Sequence, residues 1–298
     1  MRDVASPPTI ALMSPGDMGH SVGALLKRHG ARVISALDGR SQRTTDLAVA
    51  AGIELMPSDI DMIEAADVVL SIVAPASAES LANRLAQAMN AANSDVVYVD
   101  CNAIAPETVT RIAGVIERAG GQFVDAGIVG PPPREDSRAT RFYISGKETN
   151  GLMQLNDFGL DVRLVSARIG DASALKMCYA ALNKGTIALM TGVSVMAERL
   201  GVEAIFDQEL QLSQSPVRER MHTQVPSIVP KAHRWIGEME EIAKTFSAAD
   251  LSPATFEGIA DIYRLVSEHP IAVTSPEAWR KATRSYHEII TALAAERD

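Results

Sequence analysis

The sequence predicts an α/β protein: a doubly wound parallel sheet, then an all-helical C-terminal domain joined to it by a long helix. Three observations carry this. Short apolar runs alternate with amphipathic stretches through the first half, and a parallel strand needs such a crossover to bring the chain back to the same end of the sheet. A glycine-bearing turn lies directly between the first strand pattern and the first helix pattern. From about Asp171 onward, helical periodicity replaces the β-rich runs.

In order, Thr9–Met13 has a buried-strand pattern, and a helix is predicted from Gly19 to about Arg28, ended by Gly30. Ala31–Leu37 supplies a second strand, Ser41–Ala51 a helix that stops at Gly52, and Ile53–Leu55 a short apolar run. A short helix near Ile60–Ala65 precedes the strand Asp67–Val73, the helix Ala76–Asn90 and the strand Asp95–Asp100. Helix Pro106–Ala119 and strands Phe123–Ile128 and Arg141–Ser145 complete the series, all expected in one parallel sheet. Asp171–Leu200 reads as one helix, roughly 45 Å long at the α-helical rise, although Gly185 and Gly192 lie inside it. Ala204–Ser213, Arg218–His222, Pro230–Ser247, Thr255–Ser267 and Ser275–Ala295 are further predicted helices. The implied division is residues 1–168 and 169–298, with no internal repeat.

Composition narrows the function. The chain has 298 residues, 47% hydrophobic and 22% charged, which fits a folded protein of one large or two moderate domains. Lys+Arg of 28 against Asp+Glu of 37 gives a net charge of −9, which disfavours a nucleic-acid partner yet leaves room for a small anion at one local positive site. Cys101 and Cys178 are too few for a disulfide framework or a Cys-rich zinc site, so a reducing, cytoplasmic setting is expected. The start lacks the apolar core of a signal peptide, and no apolar run is long enough to span a bilayer. The histidines lack a ligand spacing, so no metal is expected. A small-molecule substrate remains.

The turn Ser14-Pro15-Gly16-Asp17-Met18-Gly19 stands where a dinucleotide fold holds its pyrophosphate. Gly16 would let the backbone approach the phosphates, Gly19 would let helix and strand pack closely, and the helix N-terminus offers N–H groups to an anion. Ser14 departs from the first glycine of G-x-G-x-x-G. Asp38 ends the second strand, close to the distance at which an acid holds an adenosine ribose, but Arg40, Ser41 and Arg43 follow. A guanidinium and a hydroxyl suit a 2′-phosphate, so the pattern favours NADP over NAD; Ser41 also reads as the N-cap of the next helix. Val73 and Ala74 after one strand, and Asn102 after the next, should border the ligand crevice, with Asn102 equally readable as a turn or capping residue.

Together these pieces resemble the β-hydroxyacid dehydrogenase family, the relatives of 3-hydroxyisobutyrate and 6-phosphogluconate dehydrogenases. The family's G-L-G-x-M-G is similar to Ser14–Gly19, its Asp plus small polar residue to Asp100-Cys101-Asn102, and its G-x-G-x-x-x-K-x-x-x-N to Gly170–Ala180. The resemblance covers about the first 200 residues. It implies a Rossmann domain that binds NAD(P), a helical domain on a long connecting helix, and a homodimer formed through the helical domain. It also implies that the D-A-P-V-S-G-G segment, here Asp125-Ala126-Gly127-Ile128-Val129-Gly130-Pro131, grips the substrate, and that Lys176 serves as proton donor or acceptor.

Two departures fall at the implied substrate site. Val129 replaces the serine and Pro131 removes an N–H donor, while Ala180 replaces the asparagine one turn beyond Lys176. Asn183 or Tyr179 is the candidate for the missing polar role, and the altered grip implies a larger or more apolar substrate. Apolar neighbours Ala174, Leu175, Met177 and Cys178 argue against Lys176 being merely a solvated charge. Trp235, Met239, Ile242 and Phe246 form a helical stripe that reads first as core or subunit interface; the other reading puts Trp235 and Met239 in the substrate pocket. Arg134, Arg138 and Arg141 read first as a solvated loop and second as an anion clamp. The functional expectation is an NADP-dependent oxidoreductase interconverting an alcohol and a carbonyl. The alternatives are a non-redox lyase cleaving a β-hydroxy C–C bond, or a nucleotide-binding protein without turnover.

Overall fold

The computed structural model describes residues 7–135, 137–147, 149–272, 279, 282 and 284–295. Two compact units result, Met1–Met177 and Cys178–Asp298. In the first, strands β1 (Thr9–Met13), β2 (Arg32–Ala36), β3 (Glu54–Met56), β4 (Val68–Ser71), β5 (Val97–Asp100), β6 (Gln122–Val129), β7 (Arg141–Ser145) and β8 (Val162–Ser166) form one sheet in the order 3-2-1-4-5-6-7-8. The first six strands follow the doubly wound order, whose reversal between β1 and β4 opens a crevice at the carboxyl ends of the strands. Helices α1 (Gly19–Arg28), α2 (Gln42–Ala50), α3 (Asp59–Ala65), α4 (Ala78–Ala92) and α5 (Pro106–Arg118) make the crossovers, and α6 (Asn150–Met153) precedes β8.

Strand alternation explains the two cores. In β1, Ala11 and Met13 join one buried cluster with Leu85, Tyr98 and Ile112, whereas Ile10 and Leu12 join the other with Leu26, Val33, Val99 and Phe142. A strand buried on both faces is mostly apolar, which is why Ile10, Ala11, Leu12 and Met13 read as a continuous run.

Two features of the sheet differ from expectation. The sheet is not wholly parallel: β7 runs antiparallel to β6. Residues 130–140 between them contain no crossover helix, and a chain that turns back directly pairs antiparallel. Strand β8, absent from the sequence reading, extends the sheet parallel to β7. It is an edge strand with Leu164 and Val165 exposed, so it has little of the inward-facing periodicity that marks a strand.

Helix α7 (Asp171–Arg199) runs for 29 residues, about 43 Å. Its internal glycines have a packing cause: a Cβ on Gly185 would lie 3.3 Å from Phe256, and one on Gly192 would lie 3.1 Å from Ile262. The second unit adds α8 (Glu203–Ser213), α9 (Ser215–Ile228), α10 (Ala232–Ala248), α11 (Ala254–Glu268) and α12 (Tyr286–Ala294). The helix expected over Arg218–His222 is the middle of the longer α9, which continues through Pro226. The last expected helix, from Ser275, falls partly outside the described residues; α12 itself starts after Ser285, whose hydroxyl and the Glu288 carboxylate cap each other's backbone N–H.

Candidate active site

The turn after β1 begins with a backbone constraint. Ser14 adopts φ 55, the left-handed conformation that glycine takes without cost, and Gly16 N donates to the Ser14 carbonyl at 2.6 Å. A Cβ on Gly19 would meet that same carbonyl at 3.3 Å, whereas one on Gly16 would meet nothing closer than 3.9 Å. Gly19 is therefore there for packing, and Gly16 leaves space. Pro15 is buried, Met18 packs on the core behind the turn, and Asp17 pairs with Arg43 at 2.7 Å. Helix α1 opens with no side-chain cap and no acid in its first turn, and the Asp17 carboxylate just before it is engaged by Arg43, so the positive dipole end of the helix faces the turn.

Arg40 donates to the Ser14 hydroxyl, tying the turn after β2 to the turn after β1. Ser41 caps α2, accepting from Thr44 N at 3.3 Å, and Asp38 is exposed. A cleft of about 220 Å³ opens here, lined among others by Ser14, Arg40, Val73, Ser77, Ser80 and Arg84. Ala74 is exposed beside it. Ser77, Ser80 and Arg84 escaped the sequence reading, although their spacing sets them on one face at the start of α4.

Asn102 is buried and fully engaged. Its Oδ1 accepts from Val73 N at 2.6 Å and its Nδ2 donates to Ser71 Oγ at 3.0 Å, so it holds the rim formed by the end of β4. Its own N–H donates to Asp100 Oδ1 at 3.0 Å. Asp100 Oδ2 is buried without a hydrogen bond, and burial pushes this carboxyl up to about 7, helped by the neighbouring charge of Asp125.

Asp125 lies on β6 in register with Asp100 and is completely buried. It accepts from Gly170 N and Ser173 N at 3.0 Å, from Ser173 Oγ at 2.6 Å and from Ser145 Oγ at 3.0 Å. Ser145 Oγ in turn accepts from Ala172 N at 3.0 Å. The N–H groups of Gly170, Ala172 and Ser173 at the opening of α7 are thus capped from β6 and β7, while Asp171 N donates to the Arg168 carbonyl at 3.3 Å. Burial raises the Asp125 pKa, while the hydrogen bonds from Ser173, Ser145 and Gly170 oppose that rise.

This cap sets the start of the helix that carries Lys176. Gly127 lets α7 cross β6 closely, since a Cβ there would lie 2.8 Å from the Ala172 carbonyl and 2.9 Å from Lys176 Cβ. Lys176 Nζ then donates to the Ile128 carbonyl at 2.6 Å, at the carboxyl end of β6. That end lies on the same edge of the parallel sheet as the turn after β1. Gly127, Ile128 and Val129 are buried in the β6–β7 pairing, so the segment expected to grip substrate offers the Ile128 carbonyl to Lys176 and keeps Gly130 exposed. Gly130 turns the chain at φ 119, where a Cβ would lie 2.1 Å from the Ala139 carbonyl.

In the second unit, Tyr179 is exposed and Asn183 accepts from Arg220 at 3.2 Å. Met239 is fully buried in the helical core. Trp235 packs edge-on against Tyr263 at 5.4 Å, with Lys184 over its ring at 4.8 Å, so it too serves the helical packing. Asp207, His222 and His287 bring ligand-type atoms within 4.8 Å of one another. Arg218 already binds Asp207 through two hydrogen bonds of 2.8 and 2.7 Å, so this group reads as an ion-pair cluster linking α8, α9 and α12.

A mostly parallel sheet whose first six strands take this order, with a glycine turn after β1, is the architecture of a dinucleotide-binding domain. Comparison with known proteins agrees. Residues 9–151 match the NAD binding domain of 6-phosphogluconate dehydrogenase, and residues 197–266 match a domain of unknown function, DUF1932. An uncharacterized 28.5 kDa protein of Methanothermus fervidus is 25% identical over 79% of this chain and 90% of its own. A conserved protein of unknown function, described as structurally similar to 3-hydroxyacid dehydrogenases, is 29% identical over 89% of this chain and 100% of its own, with a TM-score of 0.65. Mycobacterium tuberculosis 3-hydroxyisobutyrate dehydrogenase shares the fold at a TM-score of 0.71 and 18% identity, over 97% of this chain and 100% of its own. The chain is thus similar to the NAD binding domain of 6-phosphogluconate dehydrogenase over residues 9–151 and shares the fold of 3-hydroxyacid dehydrogenases over most of its length.

Asp100→Asn should flatten the dependence of stability on pH. An unfolded aspartate releases its proton near pH 4, whereas Asp100 in the folded chain releases it at about 7, so stability falls as pH rises between those values. Urea unfolding at pH 5 and pH 8 should show the wild type losing roughly 2–3 kcal/mol relative to the variant. Asp125→Ala strands the Gly170 and Ser173 donors, and the same measurement should find it destabilised by roughly 3 kcal/mol or more.

Proposed function

We propose that the protein is an NADP-dependent oxidoreductase that interconverts an alcohol and a carbonyl, with Lys176 handling the proton on the reacting oxygen. The observation that carries this reading is the hydrogen bond from Lys176 Nζ to the Ile128 carbonyl, at the sheet edge where dinucleotide folds bind their ligand. A carbonyl oxygen accepts from an ammonium N–H, and an ammonium at this edge would stabilise an alkoxide and donate a proton to it.

The residues present fit a dinucleotide. Gly16 leaves space over the turn, and the N-terminus of α1, without a side-chain cap, would face the diphosphate. Arg40 and Ser14, with Ser41 and Arg43 behind them, would hold the adenosine end and its 2′-phosphate; that is the support for NADP over NAD. Asn102 would act by fixing Val73 at the crevice rim. When bound, the nicotinamide supplies or accepts the hydride.

The substrate proposed is a 3-hydroxyacid-like or larger, more apolar alcohol. Buried Val129 and Ala180 stand where the family has polar residues, which weakens the usual grip on a small hydroxy acid. We propose a homodimer through the helical unit as well. Leu182, Leu189 and Met196 are 75%, 63% and 55% exposed, and their seven-residue spacing forms an apolar seam along α7 of the kind that a second helix covers.

Lys176→Ala should lower turnover by about 10²–10⁴-fold in a panel of hydroxy acids and their carbonyl counterparts followed by nicotinamide absorbance. A folded variant with full turnover would defeat the lysine assignment, and product formed without any absorbance change would replace the redox reading with the lyase. Paired glutamates at Leu182 and Leu189 should convert a dimer to monomer by light scattering. A wild-type protein already monomeric at the same concentration would remove the dimer.

A further inference from the structure

The cleft beside the turn after β1 has a second guanidinium that the cofactor reading does not use. Arg40 stands on one lip, after β2, and Arg84 on the other, on α4. Ser14, Ser77 and Ser80 add polar lining, and among the described residues the lining contains no carboxylate. In a chain of net charge −9, a cleft with two arginines and, among the described residues, no lining acid marks a place where an anion is held.

The two lips differ in what fixes them. Arg40 donates to the Ser14 hydroxyl, and Arg84 is anchored from behind by Asp59 on α3, with Nε 3.0 Å from Oδ2. A guanidinium has five N–H donors, so one carboxylate contact at Nε leaves further donors for a second anion. Ser77, at the start of α4, makes no side-chain cap bond, so its hydroxyl is not committed to the helix. Glu79, the acid in the first turn of α4, pairs with Arg111 at 2.9 Å. The opening N–H groups of this 15-residue helix add positive potential at the same lip.

Two guanidinium groups on opposite lips suit a dianion better than a single charge. A phosphate monoester has several acceptor oxygens and can accept from both lips at once, whereas a ribose hydroxyl in the same place offers no charge to the two guanidinium groups. We propose that Arg84 is a second specificity residue for the cofactor, which closes with Arg40 on the 2′-phosphate of the adenosine ribose and so rejects the unphosphorylated dinucleotide. The inference rests on the NADP reading above and adds to it a residue from the opposite side of the cleft.

Titration calorimetry of the full chain with 2′,5′-ADP and 5′-AMP tests the idea without a substrate. The wild type should bind 2′,5′-ADP more tightly. Arg84→Gln should weaken 2′,5′-ADP binding by about tenfold or more with 5′-AMP unchanged, because charge-assisted hydrogen bonds are lost. Arg84→Lys should recover part of the loss, since lysine restores charge but not the fork. If Arg84→Gln leaves the ratio of the two affinities unchanged while Arg40→Gln collapses it, Arg84 is overturned and the NADP reading stands. A wild type that binds both fragments equally overturns both. Equal weakening of both fragments by Arg84→Gln also rejects the specificity role, leaving only a general charge effect.

Discussion

The structure around the candidate site depends on one buried carboxylate. Asp125 is buried away from bulk solvent, so protein donors must satisfy it, and the donors it finds are two backbone N–H groups at the start of α7 and the hydroxyls of Ser173 and Ser145. The bargain is mutual. A long helix begins with N–H groups that need acceptors, and a sheet strand with an isolated acid needs donors. Their pairing fixes where α7 starts, and Lys176 lies within the first two turns from that point. Gly127 then permits the close crossing that brings the lysine amine to the Ile128 carbonyl.

Asp100 shows the opposite outcome on the adjacent strand. Only one of its oxygens is bonded, to the backbone of Asn102, and the other is enclosed without a partner. The two acids sit side by side in register, and the one with four donors is the one that organises the helix. The chain of contacts from Asp100 through Asn102 to Val73 runs along the crevice rim. Order at the rim therefore derives from side-chain amides and carboxyls below the loops.

Much of this was legible in the sequence, for identifiable reasons. Strands β1, β2, β4, β5 and β6 are buried on both faces and so are largely apolar, a signal that survives without any knowledge of neighbours. The extent of α7 was legible to within one residue because its periodicity is long and unbroken. The direction of β7 was not, since a strand's residues do not encode its polarity and only the absence of a helix in 130–140 could have revealed it. The motif around Asp125 stood out as a segment, but its partners Ser145 and Ser173 come together only through packing of distant elements. Met239 illustrates the limit of a helical stripe: periodicity shows that a residue faces inward, and here inward is the helical core. Ser77, Ser80 and Arg84 were missed because attention to the ends of strands passes over the helix that follows them.

The serine at position 14 exchanges ease of folding for connectivity. Its left-handed backbone costs about 1 kcal/mol that glycine would not incur. In return the turn acquires a hydroxyl, and Arg40 grasps it from the neighbouring loop, stitching together two segments that glycine would leave independent. An anion can take up this arginine's remaining donors, but one that pulls the guanidinium away breaks that stitch. The two loops cannot respond to a guest separately: whatever loosens one releases the other.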